Sequence, residues 1–370
     1  MNVAAPGGVA RQVRVGIHAA SSIAPAKRTG TTTSAMGLRD ASTSTRPPGT
    51  GTATRAHGRR QPGMGIARTG TMRRRSWQSA AMRALRALAT VALAAGAPEC
   101  VAHAVDTAAP AWSFPAWVVT SLLLALALYI RGLSALWRAT APGRGVGFGA
   151  AACFSGGWLA AALALVSPLD SLAADLFWVH MVQHEVLMLV AAPLLVLARP
   201  LAVWSWALPP DAVRVLARPA RAPFVREAWG ALTAPLGAWL AHAAALWLWH
   251  VPALFNAAAA SALWHAVQHL SFFCTALAFW WACFGAGRQA SAGAVLYLLT
   301  TMMHTGALGA LLTVSGTAWY ANDAARWGWT ALADQHLGGL IMWVPAGGIY
   351  LVVGLALFAR WLDAAERPRA

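Results

Sequence analysis

The feature that most constrains the fold is a series of seven apolar runs between residues 115 and 360. Each run is close to the roughly 20 residues that an α-helix needs to cross the hydrocarbon core of a bilayer. The sequence therefore predicts an all-α, polytopic membrane helix bundle with seven transmembrane helices. The predicted spans are residues 115–137, 147–166, 177–198, 230–250, 262–285, 291–314 and 335–360.

Composition agrees with a membrane protein and argues against nucleic-acid binding. Hydrophobic residues make up 58% of the chain and charged residues 11%, against roughly 45 to 50% and 25% in soluble domains. The formal charge of +16 is concentrated at the start, because residues 1–86 hold 15 of the 28 lysines and arginines and only one acid. The remaining residues carry 13 arginines and 11 acids, a net +2. No basic patch on a folded surface is predicted, and we expect no nucleic-acid partner.

The chain divides into three regions. Residues 1–71 are rich in Thr, Ser, Gly, Pro and Arg without hydrophobic periodicity, so we interpret them as disordered or as an untranslated extension. Residues 72–104 have a basic start, an apolar stretch and a small-x-small ending, which is typical of a secretory signal peptide cleaved near Ala104. The alternative is an uncleaved eighth span, although the apolar part of this region is short for a crossing. Residues 105–370 form the predicted seven-helix domain.

The distribution of arginine sets the expected orientation. A cleaved signal peptide leaves the new N-terminus outside, and the connecting segments then alternate between the two sides. Twelve arginines fall on the inner segments, and Arg326 alone falls on an outer segment. This asymmetry is what the positive-inside rule requires. We therefore expect a multi-pass protein of the bacterial inner (plasma) membrane, surrounded by lipid, with its N-terminus outside and its C-terminus in the cytoplasm.

Two of the predicted spans carry histidines in pairs. His180 and His184 lie in the third span, with Glu185 directly after them, and His265 and His269 lie in the fifth span. The members of each pair are four residues apart, which places them one turn apart on the same face of a helix. Ionisable residues inside a membrane are costly and usually mark functional sites. We expect the two pairs to converge in one polar cavity that opens outward and binds a metal ion.

Three further histidines are candidate ligands. His250 closes the fourth predicted span, His304 lies in the sixth and His336 lies in the seventh, all in the outer half of the bundle or near its midplane. The structural alternative for each of them is to cap a helix or to bond a neighbouring backbone group. The number of histidines in the membrane domain makes that explanation less satisfactory for the whole set than for any single residue.

The residues around the histidines favour copper as the metal. Imidazole suits copper, zinc and haem iron, and thioether sulfur shifts the preference towards Cu(I). Met181 is the methionine candidate beside the first pair, although methionine in an apolar helix is more often core packing. Glu185 is interpreted as a ligand, a proton acceptor or an orienter of a ligand ring, with a protonated structural acid as the alternative. Copper is the expected cofactor.

The histidine-bearing segments also resemble a known family. They look like the three signature blocks of the CtaG family of cytochrome c oxidase assembly factors, the polytopic type named for caa-type oxidases. The blocks are FWVHMVQHEVLMLVAAPLLVLARP, WLWHVPALFNAAAASALWHAVQHLSFFCTALAFWW and DQHLGGLIMWVPAGGIYLVVGLALF. The resemblance covers roughly residues 115–360, and the two paired-histidine motifs match the family's H-x-x-x-H pairs. It implies a role in making active terminal oxidase through copper supply, with cytochrome c oxidase subunits and a periplasmic copper chaperone as partners.

Two other classes remain open. A membrane cytochrome would hold haem between histidines of different helices, but a second haem near the inner face would find no histidine there. An intramembrane zinc hydrolase would use an open coordination site and a general base, yet Glu185 follows the second histidine and no H-E-x-x-H order is present. The sequence has no recognisable nucleophile, phosphate loop or nucleotide motif. We therefore expect a protein that is not an enzyme.

Overall fold

The computed structural model describes residues 110–285 and 291–366. The predicted N-terminal extension and signal peptide lie outside these residues. All regular secondary structure in the described part of the chain is helical. The α-helices are α1 (Ala116–Ala139), α2 (Phe148–Val166), α3 (Pro168–Asp175), α4 (Phe177–Glu185), α5 (Ala192–Ala198), α6 (Pro200–Ala207), α7 (Pro210–Leu216), α8 (Pro223–Thr233), α9 (Pro235–Trp249), α10 (Pro252–Ala259), α11 (Ala262–Phe284), α12 (Ala292–Val314) and α13 (Ala331–Glu366).

Six of the described helical segments are long and apolar enough to cross a membrane. They are α1, α2, the continuous segment Phe177–Ala198 that contains α4 and α5, and then α11, α12 and α13. The count rises to seven if the bent pair α8 and α9 forms one span. The predicted all-α polytopic membrane bundle is confirmed.

The fourth span differs from its prediction. A continuous helix was expected over residues 230–250, but α8 and α9 meet at a bend of 76°. Pro235 explains the break, because a proline disfavours the helical conformation at the preceding residue, and Ala234 is extended with ψ of 147°. The helix α9 alone has 15 residues, or about 22 Å of length. It is therefore shorter than the hydrocarbon core of a bilayer, which is about 30 Å.

A π-helical turn over Val186–Ala191 interrupts the span between α4 and α5. Pro193 supplies the reason, because it has no N–H to donate and its ring collides with the carbonyl of the residue four positions earlier. The wider turn is closed by the Ala192 N–H, which donates to the Leu187 carbonyl. The indole N–H of Trp280 on α11 donates to the Met188 carbonyl at 2.8 Å. The irregular turn is therefore satisfied by the neighbouring helix.

The longest helix, α13, packs closely along α12. It has 36 residues, about 54 Å, and so extends beyond the predicted span 335–360 at both ends. A Cβ atom on Gly339 would lie 2.6 Å from the Gly309 carbonyl oxygen, so this approach of the two backbones requires glycine. Small residues at such contacts let membrane helices pack by close van der Waals contact.

Residues 199–233, which we call the arginine-rich segment, connect α5 to α9. This segment contains short helices and exposes several of its large apolar side chains, including Phe224 at 74% and Trp229 at 54%. Arg218, Arg221 and Arg226 are also exposed. It contains five of the arginines that the sequence assigns to the inner side of the membrane.

Candidate metal centre

The first histidine pair is positioned by the way in which α4 begins. Leu176 precedes the helix and offers no side-chain cap. The carboxylate of Asp334 on α13 caps it instead, because it accepts hydrogen bonds from the backbone N–H groups of Phe177 at 2.7 Å and Trp178 at 3.0 Å. The side chain of Asn322 donates to the same carboxylate at 2.8 Å. A residue distant in sequence therefore fixes the first turn of the helix that carries the pair.

Close packing holds α13 against the same turn. A Cβ atom on Gly338 would lie 2.3 Å from the ring of Phe177, so the ring rests directly on the glycine. The ring of Phe177 also stacks on Tyr320 with centroids 4.6 Å apart and contacts Phe255 at 5.3 Å. These contacts orient α4 before either histidine is considered.

The second pair lies in the opening turns of α11. Ser261 begins this helix as its N-cap, and its hydroxyl oxygen accepts a hydrogen bond from the N–H of Trp264. Serine is a favoured N-cap because it satisfies one of the free N–H groups at a helix start. His265 and His269 are the fourth and eighth residues of α11, and His180 and His184 are the fourth and eighth residues of α4. Both pairs thus lie at the same depth from the starts of their helices.

The four histidines meet between α4 and α11, and we call them the histidine quartet. Within each pair the ring centroids are 4.3 Å apart. Between the helices, His180 is 5.2 Å from His265 and 5.6 Å from His269, and His184 is 4.9 Å from His269. The quartet is therefore one continuous group of imidazole rings.

Three members of the quartet have the spacing of a metal site. One ring nitrogen from each of His180, His265 and His269 lies within 4.8 Å of the other two. His180 and His269 are buried, with 5% and 8% of their surfaces exposed, and His265 is half-buried. A modest inward movement of the side chains would bring each of the three imidazole nitrogens to about 2 Å from a shared metal ion, the metal–nitrogen distance of imidazole ligands.

The hydrogen bonds of the rings leave nitrogen lone pairs available. Nδ1 of His180 lies 3.3 Å from the carbonyl oxygen of Ala173, and a carbonyl only accepts, so Nδ1 carries the proton and Nε2 carries the lone pair. This is the arrangement in which a second partner fixes the tautomer of a metal-binding histidine. The Nε2 atoms of all four quartet histidines are buried and have no hydrogen-bond partner among the described residues. Buried polar atoms without partners are rare, so this cluster is suited to a ligand.

His250 borders the quartet. It follows α9, and its Nδ1 donates to the Leu246 carbonyl at 2.7 Å, which again leaves a lone pair on a buried Nε2 that has no partner in the described structure. Its ring is 6.1 Å from that of Phe272, which packs against His184 at 4.6 Å. The predicted candidate is thus near the quartet, as a neighbour rather than a member of the three-nitrogen group.

Comparison with known families identifies the chain. Residues 127–364, more than half of its length, match the family model described as cytochrome c oxidase caa3 assembly factor, Caa3_CtaG. The chain belongs to this family. The matched region contains both histidine helices and extends from within α1 to near the end of α13. No curated protein and no solved structure matches the chain.

The family resemblance stated from the sequence is confirmed. The chain is a multi-pass membrane protein and an assembly factor for cytochrome c oxidase. This membership associates it with the oxidase and with the membrane. It does not identify a metal, so metal binding by the quartet stays a prediction.

Two candidate ligands of this assembly factor lie apart from the quartet. Nε2 of His336 is 2.8 Å from the carbonyl oxygen of Ser315, which makes it a donor to the loop that connects α12 and α13. His304 packs edge-on against Trp239, with centroids 5.1 Å apart, in the middle of α12. Neither residue is in the three-nitrogen group of the quartet.

Met181 and Glu185 also face other parts of the bundle. Met181 is 1% exposed and packs in an apolar cluster with Leu312 and Met342, which agrees with its alternative interpretation as core packing. Glu185 ends α4, one residue after His184 and directly before the π-helical turn. One carboxyl oxygen of Glu185 is buried and without a partner in the described structure.

The sequence reasoning missed the residues that position the quartet. Asp334 caps α4, and Gln183 links α4 to neighbouring segments by donating to the Ala164 carbonyl at 2.7 Å and to Asp170 at 2.8 Å. Tyr320 forms an aromatic wall with Phe177 and Phe255 and donates its hydroxyl proton to the His250 carbonyl at 2.8 Å. The available signal was the presence of polar residues within or directly beside predicted spans, since Gln183 lies in the third span and Asp334 immediately precedes the seventh.

Proposed function

We propose that this assembly factor binds copper in the histidine quartet and supplies it during the assembly of cytochrome c oxidase. Family membership supports the assembly role, and the quartet supports the metal. The observation that carries the proposal is the group of three histidine nitrogens within 4.8 Å of one another, together with buried Nε2 lone pairs that have no partner in the described residues. A bound ion would satisfy these nitrogens together.

The dense packing of the quartet favours a metal ion over haem. The two axial imidazoles of a haem stand on opposite faces of a flat macrocycle, which must fit between them. The quartet rings instead pack against one another, with centroids 4.3 to 5.6 Å apart. Phe255 and Phe272 contact the same rings at 5.3 and 4.6 Å. Within the part of the chain that the structure describes, these close contacts favour a single ion over a porphyrin between the rings.

The surroundings of the quartet also favour metal transfer over zinc-dependent hydrolysis. A zinc hydrolase combines an open coordination position with a general base close to the bound water. The three-nitrogen group contains only histidines, so no carboxylate that could act as a base belongs to it. Imidazole ligands suit copper as well as zinc, so the missing base, not the ligand type, favours transfer over hydrolysis.

The position of the quartet suits exchange with a partner at one surface of the membrane. Its members lie within the first eight residues of α4 and α11, and His265 is the least buried member. With the orientation predicted from the arginines, this end of the bundle faces the periplasm. A periplasmic copper chaperone would then load the site, and a periplasm-facing domain of an oxidase subunit would receive the ion.

To test the proposal, a variant that lacks the first pair of histidines is expressed in a strain from which the natural gene has been deleted. The double variant His180→Ala/His184→Ala should accumulate in the membrane but bind less copper, and the strain should show lower cytochrome c oxidase activity. His336→Ala is a matched control, because this histidine lies in a membrane helix but bonds to the Ser315 carbonyl. Copper added to the medium should partly restore activity in the double variant.

Two results would contradict different parts of the proposal. Copper binding that survives replacement of all four quartet histidines would remove the metal site. Normal oxidase activity in the deletion strain would contradict the assembly role itself. The orientation has a separate test. A reporter that works only in the cytoplasm should be active when it is fused to the C-terminus, and a reporter that works only in the periplasm should be inactive there.

A further inference from the structure

A second group of polar side chains lies deeper in the bundle, where α9, α11 and α12 meet. His242 is the eighth of the 15 residues of α9, and His304 is near the middle of α12. Nδ1 of His242 lies 3.1 Å from the hydroxyl oxygen of Thr275 on α11. We call His242 and His304 the deep pair.

The hydrogen bonds of Thr275 determine which nitrogen of His242 carries its proton. The hydroxyl of Thr275 has a single hydrogen, and its oxygen lies 2.8 Å from the Ser271 carbonyl and 3.2 Å from the Phe272 carbonyl. Both carbonyls only accept, so the hydroxyl donates to them and accepts from His242. Nδ1 of His242 therefore holds the proton, and Nε2 presents a lone pair.

His304 completes the group with two nitrogens that lack partners. Both of its ring nitrogens, and the indole nitrogen of Trp239, are buried without a hydrogen-bond partner in the described residues. Trp239 packs edge-on against His304 and is three residues before His242, on the same face of α9. Both imidazoles therefore lie near Trp239, where α9 packs against α12.

The deep pair is separate from the quartet. Thr275, which holds His242, is six residues after His269 on α11, which corresponds to about 9 Å along the helix axis. The three-nitrogen group of the quartet includes neither His242 nor His304. Different helices, α9 and α12, also supply the two ligands.

We propose that the deep pair binds a second ion, a monovalent copper ion, held between Nε2 of His242 and a ring nitrogen of His304. Zinc usually takes four ligands in protein sites, whereas Cu(I) is stable with two nitrogen ligands and carries only one charge into an apolar site. The surroundings are apolar, because His242 is 2% exposed and packs against Phe279 at 5.2 Å. This inference extends the proposed function by giving copper a second position, but its ligands are independent of the quartet.

Copper stoichiometry tests the inference. The full-length protein, purified in detergent, is loaded with Cu(I) without oxygen and freed of excess metal, and copper per chain is measured. Wild type should retain two ions, and the variant His242→Gln/His304→Gln should retain one. Glutamine keeps polarity at both positions, and the thermal unfolding and size-exclusion profiles of the variant should match those of wild type. His336→Ala is the matched control and should retain two ions.

A second variant separates failure of this site from failure of the quartet. The protein in which all four quartet histidines are alanine should retain one ion, with an X-ray absorption spectrum of two-coordinate Cu(I) bound by nitrogen. Loss of all copper from this variant would overturn the deep site. The deep site would also be overturned if the deep-pair variant bound as much copper as wild type, or if the quartet variant, in which only the deep pair is intact, retained zinc and no copper. If the quartet variant keeps two ions while the deep-pair variant loses one, the deep site stands and the quartet proposal fails.

Discussion

The region around the histidine quartet and the arginine-rich segment use polar side chains in opposite ways. Near the quartet, Asp334, Gln335 and Gln183 are at most 1% exposed, and each bonds to a segment far away in sequence. In the arginine-rich segment, the arginines are exposed, and the ion pair of Arg214 with Asp211 leaves both side chains more than half exposed. Exposed ion pairs contribute little to stability, typically below about 1 kcal/mol.

This difference indicates which end of the molecule requires a fixed geometry. A buried polar group is costly unless it is hydrogen-bonded, so the bonds around the quartet constrain several backbones together. The exposed charges of the arginine-rich segment suit lipid headgroups and the positive-inside rule, and they tolerate movement. Substitutions should therefore have large effects near the quartet and small effects in the arginine-rich segment.

The largest effect is expected where the backbones of α12 and α13 approach each other most closely at Gly339. Gly339→Ala should lower the free energy of unfolding by about 3 kcal/mol, because the new Cβ atom overlaps backbone rather than a movable side chain. The overlap is with the carbonyl oxygen of Gly309 at 2.6 Å. Thermal unfolding in detergent measures the loss. Gly348→Ala on the same helix is the control, since its Cβ atom would meet nothing within 4 Å, and equal stability of the two variants would contradict the close packing.

Removal of the cap of α4 should have the next largest effect. Asp334→Ala leaves the N–H groups of Phe177 and Trp178 without their acceptor, which should cost about 2 kcal/mol. Copper affinity should fall as well, because the first turn of α4 positions His180. The exposed Asp363→Ala, at the far end of the same helix, is the control. A variant that loses stability but keeps full copper affinity would show that the cap does not position the site.

A smaller effect is expected at the aromatic wall. Tyr320→Phe keeps the ring contacts but removes the hydrogen bond to the His250 carbonyl, at a cost of about 1 kcal/mol. Burial raises the pKa of Tyr320, so folding disfavours its ionised form. This residue should therefore make wild type lose stability as the pH rises above about 10, the ordinary tyrosine value. Unfolding measured from pH 8 to 11 should show a shallower loss in the variant, and identical slopes would rule out this contribution.

The smallest effect is expected in the arginine-rich segment. Arg226→Gln should change the free energy of unfolding by no more than about 0.5 kcal/mol, as is usual for exposed positions. Copper content and oxidase activity should equal those of wild type. A loss comparable with that of Asp334→Ala would erase the contrast between the two regions and would point to an unrecognised structural role for this segment.

Much of the fold was predictable because a membrane imposes a length on each helix. The spans that became α1, α2, α11 and α12 begin and end within two residues of their predicted limits. The prediction was least accurate where proline changes the backbone. Pro235 breaks the fourth span, and Pro193 is accompanied by a π-helical turn that hydropathy could not indicate.

The sequence by itself determined the candidate ligands and their depth. A spacing of four residues places His180 beside His184, and His265 beside His269, on any α-helix, and the helix starts give the two pairs the same depth. These are local properties, which depend only on the rise and periodicity of the helix.

Only the tertiary structure decided which faces of the helices meet. The rotation of each helix about its axis depends on contacts between distant residues, such as Asp334 with the first turn of α4 and Gly338 with Phe177. Those contacts turn the two histidine pairs towards each other, hold His336 on a loop carbonyl, and put His304 beside Trp239 instead of the quartet. Hydropathy reports how deep a residue lies but not the direction in which it points, because every face of a membrane helix is apolar.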